Sequence, residues 1–200
     1  LNLPRERKFA RPHYKMLWAE DIPILTAEDE SGRKVQVRLV AGKLGDMVAP
    51  APAPDSWAAD PANQVGIWLV HMDPWAQWTV PEASLEVNRT LYFYQGSDFK
   101  AAGVQIQPYH SVDLLADQPV ILENGPEPAA LLILQGRPIE EPVVQHGPFV
   151  MNDAAGIHQA FADSRRTRFG GWPWPEPDHV HPREKGRFAR YADGGEETRA

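Results

Sequence analysis

The residues of this sequence best suited to bind a metal ion are its seven histidines, because the sequence contains no cysteine. His179 and His181 stand one residue apart, and two imidazoles at this spacing share one face of an extended segment. A metal site needs a third ligand, and the near candidates are Asp178 and Glu184. The pair lies between two prolines, outside any segment with the pattern of a core element. We therefore expect both histidines to be solvated or packed, with a metal site as the alternative.

Two other histidines and two acidic pairs could also take part in chemistry. His71 falls in an apolar run at residues 65–72, where a histidine is more often a hydrogen-bonded core residue than a ligand. His146 precedes a Gly-Pro pair and is interpreted as a turn residue. The pairs Glu140–Glu141 and Glu196–Glu197 consist of adjacent residues, which point apart in an extended chain. We interpret them as solvated faces rather than acid/base dyads.

Several classes of chemistry are excluded or disfavoured. None of the six serines stands in a G-x-S-x-G elbow, and the glycine motifs that bind nucleotide phosphates are missing. The lack of cysteine removes thiol nucleophiles, disulfides and iron–sulfur clusters. The 27 acidic residues outnumber the 20 basic ones, and the formal charge of −7 disfavours direct binding to nucleic acid. Without interleaved cations, the seven tryptophans indicate packing or an interface rather than base stacking.

The elements that must position these residues are predicted to be mainly strands. Residues 35–40 alternate between apolar and polar side chains over their first five positions, as in a half-buried strand, and residues 65–72 form a strand with two apolar faces. Further strands are predicted at residues 85–95, 104–107, 111–115, 119–123 and 129–135. Residues 42–45 are predicted as a turn and the Pro/Ala run at 49–54 as a loop. Short strands at this spacing predict a sandwich or a barrel.

The end of the sequence has a different character. Residues 153–166 carry the one convincing helix pattern, with Asn152 as the N-cap and Ile157, Ala160 and Phe161 along one face. The Trp-Pro-Trp-Pro-Glu-Pro segment at 172–177 is expected to lie across a surface. No apolar stretch approaches the roughly 18 to 20 residues of a transmembrane helix. The sequence begins at Leu1 and its first residues are basic, so we expect it to be a piece of a longer chain.

Several blocks of residues together resemble the pirin family of bicupin proteins. The tightest block covers residues 136–152 and contains Glu-Pro at 141–142 and Gly-Pro-Phe-Val-Met-Asn at 147–152. Similar blocks occur at residues 2–5 with 13–14, 37–42 with 45, 157–161, 169–173 and 181–183. The middle of the chain, residues 57–124, matches in pattern more than in residues.

The resemblance implies a cupin-like jelly-roll β-sandwich or barrel with one helix in a C-terminal extension. Residues 1–19 would be a connector from an absent N-terminal cupin half. Residues 20–136 would be the C-terminal pirin-type cupin domain, and residues 137–200 a helical, Trp/Pro-rich extension. The partners expected for this chain are the absent half, another protein or a second copy, with no direct nucleic acid and no membrane. We expect a cytoplasmic protein.

The resemblance also implies that iron chemistry belongs to the absent half. Fe(II) is expected there, and no catalytic, cofactor-binding or metal residue is assigned in this chain. The predicted strand most similar to a metal-binding cupin motif, residues 78–94, contains no histidine, and Glu82, Glu86 and Asn88 alone do not make an iron site. The whole protein would then be quercetin 2,3-dioxygenase-like, and this chain alone inactive. The alternative is a non-catalytic binding module or a redox-responsive regulatory partner of transcription or metabolic proteins.

Overall fold

The structure is a computed structural model that describes residues 1–11, 13–171, 176, 180–191 and 193–199, with the backbone alone for residues 169–171. The chain divides into two compact units. The first, here called the sandwich unit, contains Leu17–Ile139 together with Leu1. The second, here called the flanking unit, contains Asn2–Met16 and Glu140–Ala200.

The sandwich unit is built from twelve strands and three short 3-10 turns. The strands are β1 (Ile24–Glu28), β2 (Lys34–Ala41), β3 (Lys43–Leu44), β4 (Met47–Val48), β5 (Gly66–Met72), β6 (Gln77–Val80), β7 (Asn88–Gln95), β8 (Phe99–Ala101), β9 (Val104–Ile106), β10 (His110–Leu114), β11 (Val120–Asn124) and β12 (Ala129–Gly136). The 3-10 turns are Ala19–Asp21, Trp57–Ala59 and Pro61–Asn63.

Two antiparallel sheets form the sandwich. Six strands pair in the order β1-β2-β5-β12-β7-β10, and four pair in the order β6-β11-β8-β9. The strands β3 and β4 form a separate two-stranded ribbon. Sequential neighbours along the chain often lie in different sheets, as β5, β6 and β7 do, so the chain crosses repeatedly between the two layers. The predicted mainly β, cupin-like class is confirmed.

Alternating side chains from both sheets fill the space between them. Val35, Val37 and Leu39 on β2 are buried, whereas Lys34 and Gln36 are exposed, which confirms the half-buried strand predicted at 35–40. The rings of Phe93 and Phe99, one from each sheet, pack with their centroids 5.0 Å apart. The core comprises 20 buried residues, and Trp68, Phe93, Phe99, Leu122 and Leu131 are among its largest. This apolar burial is the main source of stability for the unit.

Some element predictions need correction. Residues 78–94 are not one strand, because β6 belongs to the four-stranded sheet and β7 to the six-stranded sheet. The strand predicted at 85–95 begins at Asn88, since the backbone of Val87 closes a turn by donating to the Ser84 carbonyl at 3.1 Å. The turn predicted at 42–45 contains strand β3, which pairs with β4. Strands β1 and β8 were not predicted, because short strands without a long apolar run carry little periodic signal.

The flanking unit contains the helix and two small hairpins. Its elements are β13 (Val144–His146), β14 (Phe149–Met151), α1 (Ala154–Gly171), β15 (Arg187–Arg190), β16 (Glu196–Arg199) and 3-10 turns at Arg5–Arg7 and Arg183–Lys185. Strand β13 pairs with β14, and β15 pairs with β16. Met151, Ile157 and Ala160 form its buried cluster, with Phe149 and Phe161 packed against them. The apolar face predicted for the helix is therefore confirmed.

The start of helix α1 differs from the prediction. The N-cap is Asp153 rather than Asn152, since the Asp153 carboxylate accepts from the Gly156 amide at 2.8 Å. The side chain of Asn152 is buried and donates instead to Glu141 at 2.8 Å and to the Pro142 carbonyl at 3.0 Å. The helix also continues beyond residue 166 to Gly171. No helix in the part of the chain that the structure describes is long and apolar enough to cross a membrane.

Candidate functional site

The interior of the sandwich is the first place to look for a site, because it is enclosed by both sheets. A metal centre there would need histidine or carboxylate side chains pointing inward. The inward side chains of the strands are mostly apolar, and the polar ones include Arg89 on β7, its cross-strand neighbour Gln135 on β12, and Asn124 at the end of β11. Among the described residues no group of three or more His, Asp or Glu side chains could hold a metal ion. The described residues therefore do not fit an iron site in this interior.

Residues 82–88, which border the cupin-like strands, serve other roles. Glu82 and Asn88 are exposed. Glu86 forms an ion pair with Arg137, both in the sandwich unit. The carboxylates of this segment thus face away from the interior.

The prediction that His71 is a core histidine is wrong. Its side chain is exposed on the outer face of β5, because Trp68, Val70 and Met72 are the residues of that strand that point inward. Both faces of β5 carry apolar residues, so alternation alone does not reveal which face is buried. His71 lines a shallow depression of about 220 Å³ with polar neighbours that include Gln36 and Gln95.

The other histidine predictions have mixed outcomes. His146 is the last residue of β13 rather than part of the turn that follows, and its ring meets Phe161 edge-on at 5.4 Å. His181 is exposed, and its ring packs edge-on against Phe188 at 4.7 Å. His179, Trp172 and Trp174 lie outside the described residues, so the predicted histidine pair and the surface role of residues 172–177 stay predictions.

The acidic pairs divide into two kinds. Glu196 and Glu197 are exposed on β16, and Glu196 lies 3.9 Å from the Lys185 ammonium. Glu141 differs from the prediction of a solvated face. Its Oε2 atom accepts from the Arg5 backbone amide at 2.7 Å and from the Asn152 side chain at 2.8 Å. This carboxylate therefore ties the segment before the sandwich unit to the hairpin before the helix, within the flanking unit.

The outer face of the six-stranded sheet is the largest feature that the sequence reasoning did not single out. One row across this face is set by register and consists of Ile24, Arg38, Leu69, Leu132, Tyr92 and Ser111. Tyr92 and Tyr94 are 40% and 39% exposed, and Ile24 is 43% exposed. Leu69 and Leu132 are only half-buried. We call this surface the outer sheet face; the two apolar faces of residues 65–72 were the signal that could have found it.

The opposite side of the sandwich is different. The outward residues of the four-stranded sheet include Gln77, Thr79, Lys100 and Glu123, and Ile121 is the apolar exception at 52% exposed. An outer face that is polar interacts well with water, whereas contiguous exposed apolar and aromatic groups mark interfaces. The outer sheet face, and not the interior, is therefore the candidate functional surface of this unit.

Two antiparallel sheets around a filled apolar interior define the class as a cupin-type β-sandwich without a metal centre among its described residues. A family model described as the pirin C-terminal cupin domain matches residues 67–170. This match covers half of the chain, and the chain belongs to the pirin family as its C-terminal cupin domain.

Individual relatives agree with this assignment. Pirin of Mus musculus is 32% identical over 177 residues, which cover 85% of this chain and 55% of the mouse protein. A pirin-like protein of Caulobacter vibrioides is 31% identical, covering 84% of this chain and 56% of that protein. The crystal structure of a quercetin 2,3-dioxygenase from Acinetobacter baumannii superposes with a TM-score of 0.68 at 27% identity, over 85% of this chain and 55% of that one. The chain thus spans about half the length of the curated relatives that it matches.

Proposed function

We propose that this chain is the non-catalytic half of a two-cupin, pirin-like protein, and that its role is to cover the half that carries the chemistry. The observation that carries the proposal is the contrast between a sandwich interior closed by apolar side chains and an outer sheet face that exposes Tyr92, Tyr94 and Ile24. The interior offers no ligand set for a metal among the described residues. The outer face offers the aromatic and aliphatic groups that are enriched in interfaces.

In this proposal Fe(II) belongs to the other half, and the activity of the whole protein is that of a quercetin 2,3-dioxygenase. The resemblance to the solved quercetin 2,3-dioxygenase from Acinetobacter baumannii supports the activity class. The half-length match to the relatives supports the division into two halves. A cytoplasmic location is part of the same proposal. When bound, iron would activate dioxygen, and no residue of this chain is assigned a step in that reaction.

The contribution of this chain would be the exclusion of water. A sheet face with a central strip of apolar and aromatic side chains, packed over a reaction site, lowers the local dielectric and keeps bulk water from reactive groups. Tyr92 and Leu132 are direct cross-strand neighbours on that face, so the covering surface is continuous across β7 and β12. Such a face needs no reactive side chain of its own.

The activity test compares the 200-residue chain with a protein that also carries the other cupin half, each with and without Fe(II). We expect oxygen consumption on flavonols only when both the other half and iron are present. Elemental analysis after iron loading should find no stoichiometric iron on the chain alone. Turnover by the chain alone would contradict the proposal. Lack of turnover by the two-half protein with Fe(II) would instead favour the non-catalytic binding module.

The covering role is tested by variants of the two-half protein. Tyr92→Ala with Tyr94→Ala removes two exposed rings from the outer sheet face, and Ile121→Ala is the matched control on the four-stranded sheet. We expect calorimetry to show one unfolding transition for the control and a separation into two transitions for the tyrosine variant. Identical single transitions for both variants would show that the outer sheet face does not join the two halves.

A further inference from the structure

Arg89 is the one charged side chain that is buried in the described part of the chain, at 2% exposed. It is the second residue of β7 and points inward, as Leu91 does two residues later. It lies at the end of the sandwich where the loop of residues 81–87 joins that strand. Transfer of a charge from water into a protein interior is costly unless an opposite charge or several hydrogen bonds compensate it. The groups around Arg89 therefore decide whether its charge is balanced.

All of the hydrogen-bond partners of Arg89 are neutral. Its Nε and Nη2 atoms donate to the same Gln135 Oε1 at 3.0 and 2.8 Å, and its Nη1 atom donates to the Pro81 carbonyl at 2.9 Å. A guanidinium has five N–H groups, so one on each terminal nitrogen is left over. Burial lowers the pKa of Arg89 and no carboxylate opposes that effect. A guanidinium nonetheless stays charged in proteins, so the positive charge here lacks a counterion among the described side chains.

A second buried donor lies at the same end of the sandwich. The indole Nε1 of Trp68, a residue that is 2% exposed, has no hydrogen-bond acceptor. The Arg89 guanidinium carbon lies over the Trp68 ring at 6.0 Å from its centre, a cation–π contact that offsets part of the cost of burial but supplies no negative charge. Both the Trp68 ring and Gln135 pack against Gly66, since a Cβ there would lie 3.1 Å from Trp68 Nε1 and 2.9 Å from Gln135 Cγ. Buried donors without acceptors are rare and call for a specific explanation.

We propose that this end of the sandwich binds a small monovalent anion, with Arg89 as the charged ligand and the Trp68 indole N–H as a further donor. The chemistry fits a halide or a carboxylate as small as formate, because each brings one negative charge and accepts several hydrogen bonds. Gly66 contributes by the absence of a side chain, because the Trp68 ring and Gln135 occupy the space that a Cβ would need.

Access to the site depends on the loop of residues 81–87. The loop is tied to the rest of the sandwich unit at several points. The Ala83 amide donates to the Ala116 carbonyl at 2.6 Å, Ser84 exchanges hydrogen bonds with the Gln64 side chain at 2.9 and 3.2 Å, and Glu86 pairs with Arg137. Leu85 at the tip of the loop is 78% exposed, so little apolar burial holds the tip in place. An anion would therefore reach Arg89 only when these loop contacts open, and none of them is a hydrogen bond of the strand ladders.

The test uses the 200-residue chain with sodium chloride and sodium formate, against sodium sulfate at equal ionic strength. Binding to the folded state alone raises the unfolding temperature in a saturable way, by roughly 5 °C at a hundredfold excess over Kd. We expect this rise for chloride or formate and not for sulfate, and a broadening of the chloride-35 NMR line if chloride is the ligand. The salt that reaches half of the saturable rise in unfolding temperature at the lower concentration identifies whether a halide or a carboxylate is preferred.

Variants separate a specific site from general salt effects. Arg89→Met should abolish the saturable rise, whereas Arg38→Met, which removes a half-exposed cation from β2 by the same substitution, should retain it. Trp68→Phe removes the indole N–H and keeps a ring, and it should raise the anion midpoint at least about threefold. Equal responses in the unchanged chain and both arginine variants would overturn the proposal. If Arg89→Met does not fold, an unchanged midpoint in Trp68→Phe overturns it instead.

Discussion

The sandwich unit and the flanking unit bury apolar side chains to very different extents. The sandwich unit closes 20 buried residues between two sheets, whereas the described residues of the flanking unit form a cluster of three, Met151, Ile157 and Ala160. A core of the first size can support a fold by itself, and a cluster of the second size supplies little of the free energy needed to order a chain. The comparison shows that the two units must be stabilised by different means.

Their charges differ as well. The sandwich unit contains 16 acidic and 7 basic residues, a formal charge of −9, and the flanking unit contains 11 acidic and 13 basic residues, a formal charge of +2. Several of the flanking-unit charges take part in defined pairs, such as Arg5 with Asp153 at 3.3 Å and Arg166 with Asp163 at 2.8 Å. The flanking unit thus depends on ion pairs and hydrogen bonds, whereas the sandwich unit depends on apolar packing.

The largest effect is expected in the sandwich core. Phe93→Ala removes a fully buried ring that packs against Phe99, and it should lower the free energy of unfolding by about 3 to 5 kcal/mol. Urea unfolding followed by circular dichroism measures this loss. The control is Tyr94→Ala. Tyr94 follows Phe93 in β7 but lies on the outer sheet face, so its loss should lower the free energy of unfolding by less than about 1 kcal/mol. If Phe93→Ala lost as little stability as the control, packing in the core would not be the main source of stability of the sandwich unit.

A smaller effect is expected in the cluster of the flanking unit. Ile157→Ala opens a space beside Met151 and Ala160. Because this site is only partly enclosed, the free energy of unfolding should fall by about 2 kcal/mol, at the low end for such substitutions. Hydrogen exchange should show faster exchange for helix α1 with unchanged protection in β2, β5 and β12. Equal loss of protection in both regions would mean that the two units unfold together.

The next prediction concerns the tie point at Glu141. Glu141→Ala deprives the Arg5 amide and the Asn152 side chain of their shared acceptor, and it should cost the flanking unit about 1 to 2 kcal/mol. The measurement is limited proteolysis after the basic residues that precede the sandwich unit, which should become faster. Glu140→Ala is the matched control because Glu140 is exposed and adjacent. Equal proteolysis of both variants would exclude a role for this carboxylate.

The smallest effect is expected at the helix N-cap and depends on pH. The Gly156 amide, with a further contribution from Arg5, lowers the pKa of the Asp153 carboxyl in the folded chain. A lowered folded pKa means that the stabilisation is present above the usual aspartate pKa of about 4 and is lost as the pH falls through the folded value. Helix signals in NMR spectra should therefore weaken on acidification.

The matched variant for this prediction is Asp153→Asn. Asparagine is also a favourable N-cap residue, so the helix should persist while its dependence on pH decreases. Asp153→Ala should weaken the helix at neutral pH. A pH response in Asp153→Asn as large as that of the unchanged chain would assign the titration to another group.

Prediction from sequence succeeded where the residues that the local pattern marks as inward-facing are the residues that the fold buries. Residues 35–39 alternate strictly, and β2 buries the residues that the alternation indicates. The helix face of Ile157 and Ala160 was equally clear. The prediction failed for His71, because β5 is apolar on both sides and the buried side depends on which sheet faces it. It also failed for Asn152 and Glu141, whose partners come from turns and from distant residues.

The sequence by itself determined the class and the family of this protein. Its short strands, its lack of nucleophilic and nucleotide-binding motifs and the block at residues 136–152 depend on local order along the chain. Only the tertiary structure decided which faces are buried, that β6 and β7 belong to different sheets, and that Arg89 is enclosed among neutral partners. The physical reason is that burial and charge compensation depend on residues far apart in sequence, and periodicity cannot report which of them meet.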